Sequence, residues 1–192
     1  MLYRLLVFIL LAVMSLFAQN VESPKSRLVV QADLDYTKLF VTKDEYTFNG
    51  NGDIWLQLGR EFRFSKFFSW TPSFGLNRNG WSFKRVGHTG SISYITPYVS
   101  ASLNMHLFDI GYVDAGMYYG RATFCFGEVD GKNTTDDDEY FATYNIGFFT
   151  HAGVEFLKNF RAGLVWRYAF MNSEPVPTIK VYALGGFFAY TF

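Results

Sequence analysis

A single cysteine, Cys125, stands among the 192 residues. No disulfide can form within the chain, so a small disulfide-stapled scaffold is excluded. Beyond the first 18 residues no run approaches the roughly 18 consecutive apolar residues that a transmembrane helix needs. Neither sign of charge is in excess, with 17 Lys+Arg against 17 Asp+Glu, which leaves no electrostatic footprint for a nucleic-acid partner. No nucleophile–base pattern such as His-x-Ser is present, and no cofactor motif or metal-ligand spacing stands out, so catalytic, cofactor and metal residues are all expected to be none.

What is present begins with an apolar leader. Residues 1 to 18, MLYRLLVFILLAVMSLFA, carry Arg4 in a short positive start, an apolar run from Leu5 to Val13, and small Ala18 before Gln19. This is the pattern of a cleaved secretory signal peptide. No cysteine follows the apolar run, so a lipoprotein anchor is not indicated. Removal of Arg4 leaves the mature chain with one acidic residue in excess. Residues 19–26 read as a flexible polar lead-in, and 27–192 as one domain.

Aromatic residues make up 20% of the chain, and their placement is periodic. In the closing segment TIKVYALGGFFAYTF, one alternate set is Tyr182, Leu184, Gly186, Phe188, Tyr190 and Phe192. The other is Val181, Ala183, Gly185, Phe187, Ala189 and Thr191. A period of two belongs to a strand, whose successive side chains point to opposite faces. A soluble protein hides such a greasy face in a core, whereas a membrane barrel turns it to lipid.

The same alternation recurs up the chain. It places Leu28 to Tyr36, Ile54 to Phe64, Phe68 to Leu76, Ile95 to Met105, Val113 to Tyr119, Ala142 to Phe156 and Phe160 to Phe170 on outward faces. Arg60 interrupts one of these faces near its end, where a long side chain can reach headgroups. Pro72 cannot donate to a ladder, so a bulge is expected there. Past Arg121 the parity fails, because Phe124 and Phe126 fall on the wrong face. Short turns near 65, 108 and 158 alternate with longer polar segments at 37–52, 78–90, 127–139 and 172–177. The expected fold is an all-β, eight-stranded antiparallel up-and-down transmembrane barrel, with short periplasmic turns, long external loops and both termini inside.

On these strands and on the aromatic terminal residue, residues 27–192 resemble the small eight-stranded bacterial outer-membrane β-barrels. These are the OmpA/OmpX-like, "porin family" barrel domains often found in Bacteroidetes. The resemblance implies a Gram-negative outer-membrane location and no enzymatic activity. It also implies that Tyr190 and Phe192 belong to a C-terminal sorting signal read by the barrel-assembly machinery. Outer-membrane lipid and lipopolysaccharide are the implied surroundings. The surface partner is unnamed, and a monomer is expected.

Inward parity collects Asp33, Glu61, Arg63, Asp114, Glu155, Arg161 and Arg167. An eight-stranded barrel is only wide enough inside for side chains, and buried charges must be paired. These seven are therefore expected to form a structural charge network plugging the lumen, with Glu155 and Arg161 paired across one short turn. The competing reading is a small-solute pore. Two others are a lipocalin-type carrier, which needs an apolar interior, and a lipid A-modifying enzyme built on His106 or His151 near Ser100, Ser102 and Glu155. Asp136 to Glu139, with Glu128 and Asp130, form an acidic tip whose spacing matches no calcium loop, and it is expected to be solvated. Trp81, Phe83, Lys84 and Arg85 are expected to fill a loop.

Overall fold

The computed structural model describes residues 26–40, 46–85, 88–107, 110–135, 142–157, 159–173 and 179–192. The leader, most of the lead-in, the turn residues Phe108, Asp109 and Lys158, the acidic tip 136–139 and the 174–178 segment lie outside the described residues. Eleven strand segments account for nearly all of the rest: β1 (Ser26–Phe40), β2 (Tyr46–Gly50), β3 (Gly52–Arg63), β4 (Phe68–Arg85), β5 (His88–Leu107), β6 (Gly111–Gly120), β7 (Phe124–Val129), β8 (Lys132–Thr135), β9 (Ala142–Phe156), β10 (Phe160–Ser173) and β11 (Ile179–Thr191).

Eight of them close a barrel. β1 pairs antiparallel with β3, β3 with β4, β4 with β5, β5 with β6, β6 with β9, β9 with β10, β10 with β11, and β11 again with β1. The closing seam runs from Val29 opposite Thr191 to Phe40 opposite Lys180. Closure removes the exposed edges that an open sheet of this size would present. The first and last strands meet at one end, where the Phe192 N–H donates to the Leu28 carbonyl at 2.8 Å. That end carries the short connections and is called the inner end below; the opposite end is the outer one.

The remaining three segments lengthen the wall at the outer end. β2 continues β3 along β4, from Gly50 opposite Trp81 to Tyr46 opposite Arg85. β7 continues β6 along β5 and turns into β8. Asp130 and Gly131 form that two-residue turn with φ of 52° and 76°. Two successive positive φ values suit a hairpin turn whose twist matches its strands, and Asp-Gly tolerates them best. The described residues of the segments expected as loops at 37–52, 78–90 and 127–139 are thus largely paired strand. Their polar and glycine-rich sequence still offers a backbone that hydrogen-bonds, and β4 and β5 run 18 and 20 residues.

Two irregularities sit at proline. The register of β3 with β4 is the same on both sides of Pro72, with Gly59 opposite Ser73 and Phe62 opposite Trp70. The expected bulge therefore does not form. The missing N–H is absorbed by open rungs on the β3 side, while Pro72 stays paired with Ala101 of β5. A bulge does occur opposite Pro97. Tyr98 faces Gly120 and Ile95 faces Phe124, so Arg121, Ala122 and Thr123 stand against only Thr96 and Pro97. The extra residue flips the parity of everything after it. Phe124 and Phe126 consequently point outward and Cys125 inward, which accounts for the parity failure past Arg121.

The outer surface is a lipid-facing belt. Leu34, Leu164 and Leu184 are 65%, 66% and 62% exposed, a waste of apolar area in water but the required arrangement in a bilayer. Aromatic clusters bracket the belt. At the inner end Phe62 stacks with Trp70 (5.9 Å), Phe156 with Phe160 (5.8 Å), and Tyr190 packs edge-on against Phe160 (4.7 Å) and Phe192 (4.6 Å). At the outer end Tyr182 contacts Phe40 (5.3 Å) and Tyr168 (4.8 Å), and Tyr119 stacks with Tyr144 (6.3 Å). An apolar exterior around a charged interior is the reverse of a lipocalin, so the carrier alternative is set aside.

Candidate functional site

The lumen is where the chain's unusual chemistry collects, and climbing β10 visits it in order: Arg161, Val165, Arg167, Ala169 and Met171 all point inward and are buried.

At the inner end Glu61, fully buried, is the hub. Its carboxylate accepts from Arg161 Nη2 at 2.6 Å and Arg63 Nε at 3.0 Å, with His106 Nε2 at 3.2 Å. Arg161 lies directly across the ladder from Glu155, and its Nε donates to Glu155 Oε2 at 3.2 Å. Arg27 approaches the other Glu155 oxygen at 3.6 Å. The Arg161 guanidinium also lies 4.5 Å from the centroid of the Tyr112 ring. Charge pairing and ring stacking together use a guanidinium's planar fork and its face. Arg63 and Arg27 are partly exposed at the rim, so the cluster is wet on its inner side.

His106 Nε2 lies 3.1 Å from Ser69 Oγ, and its Nδ1 lies 3.7 Å from Glu155. A serine, a histidine and an acid are therefore adjacent, although the serine is not Ser100 or Ser102. Ser69 is wholly buried, and its Oγ accepts from Asn104 Nδ2 at 2.9 Å. A nucleophile needs an open approach for the reacting carbon, and here that side is protein.

The middle of the lumen is organised by Arg167, which binds Asp33 and Asp35 on β1. Its guanidinium sits 4.3 Å from the Trp55 ring centroid. His151 stands between two carboxylates, Nδ1 at 2.8 Å from Asp114 and Nε2 at 3.4 Å from Asp33. Gln31 Nε2 donates to Asp33 at 2.9 Å and touches His151 Nε2 at the same distance. The Tyr112 hydroxyl donates to Asp114 at 2.5 Å, linking this tier to the one below.

Above it the chemistry changes. Trp55, Tyr98, Tyr118 and Phe149 form an aromatic tier, with Trp55 edge-on to Tyr118 at 4.9 Å and to Tyr98 at 5.1 Å. Gly147 leaves the room in which the Tyr118 ring lies; a Cβ there would overlap it. Asp53 caps the tier from β3, accepting from the Thr37 hydroxyl and from the Gly80 N–H at 3.2 Å. At the outer mouth Leu39, Trp81, Ile92, Tyr94, Cys125, Met171 and Ile179 close into one apolar cluster. Trp81 meets Tyr94 edge-on at 4.6 Å, and the Tyr94 hydroxyl points at Met171 Sδ at 3.6 Å. Trp81 thus lies inside the barrel rather than in a loop. Phe83, Arg85 and His88 fall among side chains outside the description.

The seven charges singled out from parity fall into two groups. Glu61, Arg63, Glu155 and Arg161 meet at the inner end. Asp33, Asp114 and Arg167 meet in the middle. Sequence reasoning omitted five members: Arg27, Asp35, Asp53, His106 and His151. Asp35 shares the inward face with Asp33, and both histidines lie on inward parity, so the signal was available. Asp53 stands at the very start of its strand, on the same inward parity as Glu61. Tyr190 and Phe192 lie on the outer surface in the inner aromatic girdle. Among the described residues no cluster of His, Cys, Asp and Glu is arranged to hold a metal.

No protein-family model and no curated protein matches the sequence. Solved structures do. Neisserial surface protein A is similar over 88% of this chain and 99% of its own, at 12% identity and a TM-score of 0.57. The outer membrane protein OprG from Pseudomonas aeruginosa is similar over 88% of this chain and 97% of its own, at 8% identity and a TM-score of 0.50. At such identities the likeness is one of fold: this chain has the closed eight-stranded barrel of bacterial outer-membrane proteins.

Proposed function

We propose that the protein is a non-enzymatic, monomeric outer-membrane barrel that acts through its outer segments, in a structural, adhesive or surface-interaction role, while its lumen stays closed. The observation that carries this is the two-fold seal. Paired charges fill the inner and middle lumen, and a cluster that is apolar among the described residues fills the mouth. A pore needs a continuous wet path, and water has few polar partners among Leu39, Trp81, Ile92 and Met171. The pore remains the second reading because the inner rim is wet. The burial of Ser69 supports the absence of catalysis.

Export by a cleaved leader and insertion through the barrel-assembly machinery complete the reading, with Tyr190 and Phe192 as the sorting residues and lipopolysaccharide as the surrounding lipid. The OmpA/OmpX-like assignment rests on the sequence pattern. Cell fractionation should place the protein in the outer membrane with heat-modifiable migration, and protease added to intact cells should cut the β7–β8 hairpin. Recovery in the soluble periplasm would overturn the reading. Phe192→Ser should lower assembled protein several-fold while Lys132→Ser, in that hairpin, leaves it unchanged. Equal yields would remove the sorting role.

A further inference from the structure

The lipid belt is not uniform. A groove of about 860 Å³ is cut into it across β1, β3, β4, β5 and β6, lined almost wholly by apolar surface. One wall follows a single hydrogen-bonded row, Val30, Leu58, Phe74, Val99 and Tyr119, each opposite the next in the ladder. The next row makes the other wall, beginning at Ala32 and ending at Pro97 and the bulge residue Arg121. The backbone of the inward-facing row between them, Gln31, Gln57, Gly75, Tyr98 and Gly120, makes the floor, and the small side chain of Ala32 leaves one end of it open.

Direction and length identify what fits. Five strands span four spacings of about 4.8 Å, roughly 19 Å. Strands tilted about 40° incline such a row by the same angle, so it climbs about 12 Å. A single leaflet is about 15 Å deep. The groove therefore runs obliquely through about one leaflet and ends at the outer rim. There Arg121 is exposed, with its guanidinium 6.0 Å from the Tyr144 ring centroid. One strand pair away Arg78 also faces outward, beside Phe126 at 5.8 Å. Outward arginines at the headgroup level form charge-assisted hydrogen bonds with phosphate.

We infer that this groove is a specific site for one acyl chain of the phosphorylated glycolipid of the outer leaflet, with its phosphate held by Arg121. The inference rests on the outer-membrane reading, since only that membrane's outer leaflet carries the glycolipid. It adds a defined seat where that reading has only a surrounding solvent.

The test uses the purified barrel in detergent, with retained lipid counted by intact-complex mass spectrometry. The probes are bisphosphorylated lipid A, dephosphorylated lipid A and phosphatidylglycerol. The wild-type protein should retain one bisphosphorylated lipid A in preference to the other two. Arg121→Gln should weaken that retention about tenfold, as for one lost charge-assisted contact, and leave the dephosphorylated probe unaffected. Ala32→Phe, which fills the floor from an exposed position, should weaken both lipid A probes. Heat-modifiable migration confirms that each variant is folded. Equal retention by wild type and both variants, or equal retention of phosphatidylglycerol, would overturn the inference. Because the measurement is made on purified protein, failed outer-membrane fractionation would defeat the location reading without altering this result.

Discussion

The inner lumen and the outer mouth close the same cylinder with opposite chemistry. Below, Glu61 and Arg167 hold their partners by directional, charge-assisted contacts across the lumen. Above, Trp81, Tyr94, Ile92 and Met171 meet by shape and area, with one weak hydrogen bond from the Tyr94 hydroxyl to Met171 Sδ. The difference follows from surroundings. Within the belt the wall is backed by lipid, and the narrow interior takes polar groups only if every charge is answered. Beyond the belt the wall is backed by water, so the extended strands can bury apolar residues inward, as a soluble sandwich does. One end is specified by pairing and the other by packing, and the two should fail differently.

The largest effect is expected in the middle tier. Arg167→Met removes the cation that answers Asp33 and Asp35 and leaves two buried carboxylates facing each other. Unfolding in urea should show a loss of about 3–5 kcal/mol, the usual cost of stranding a buried charge. A loss under about 1 kcal/mol would mean that water already reaches Arg167. At the mouth, Met171→Ala opens a cavity and should cost about 2–5 kcal/mol. Arg167 binds Asp33, Asp35 and Trp55, none of which belongs to the Met171 cluster, so the double variant should lose about the sum of the single losses. Strong non-additivity would show that the tiers are one unit. The smallest effect belongs to the inner rim. Glu155→Ala and Arg161→Ala should be coupled by about 0.5–3 kcal/mol in a double-mutant cycle. The coupling should lie toward the lower part of that range, because Glu155 is partly exposed and Glu61 also holds Arg161. Zero coupling would remove Glu155 from the network.

The comparison also explains what the sequence disclosed. Inside the belt, lipid on one face and a packed lumen on the other force a strict alternation, so strand faces and the inward position of Asp33, Glu61 and Arg167 were legible. Which charges meet was not, apart from Glu155 with Arg161 across a short turn. Arg167 and Asp33 are 134 residues apart and meet only because β11 closes against β1. Outside the belt the exterior faces water, and polar residues such as Asn49, Ser82 and Thr89 blur the alternation. Strand extensions there read as loops, and the apolar mouth stayed hidden although Trp81 and Tyr94 are among the largest residues in it. The bulge at Arg121 to Thr123 was visible only as a broken parity, because its cause lies on the neighbouring strand at Pro97.

Single-channel recording of the purified barrel in planar bilayers tests the sealed lumen most directly. The wild-type protein should carry no steady current, since ions would have to pass Arg167 and then the Trp81–Met171 cluster. Steady currents from the wild-type protein whose ion selectivity shifts in Arg167→Gln would contradict the seal and make the protein a pore.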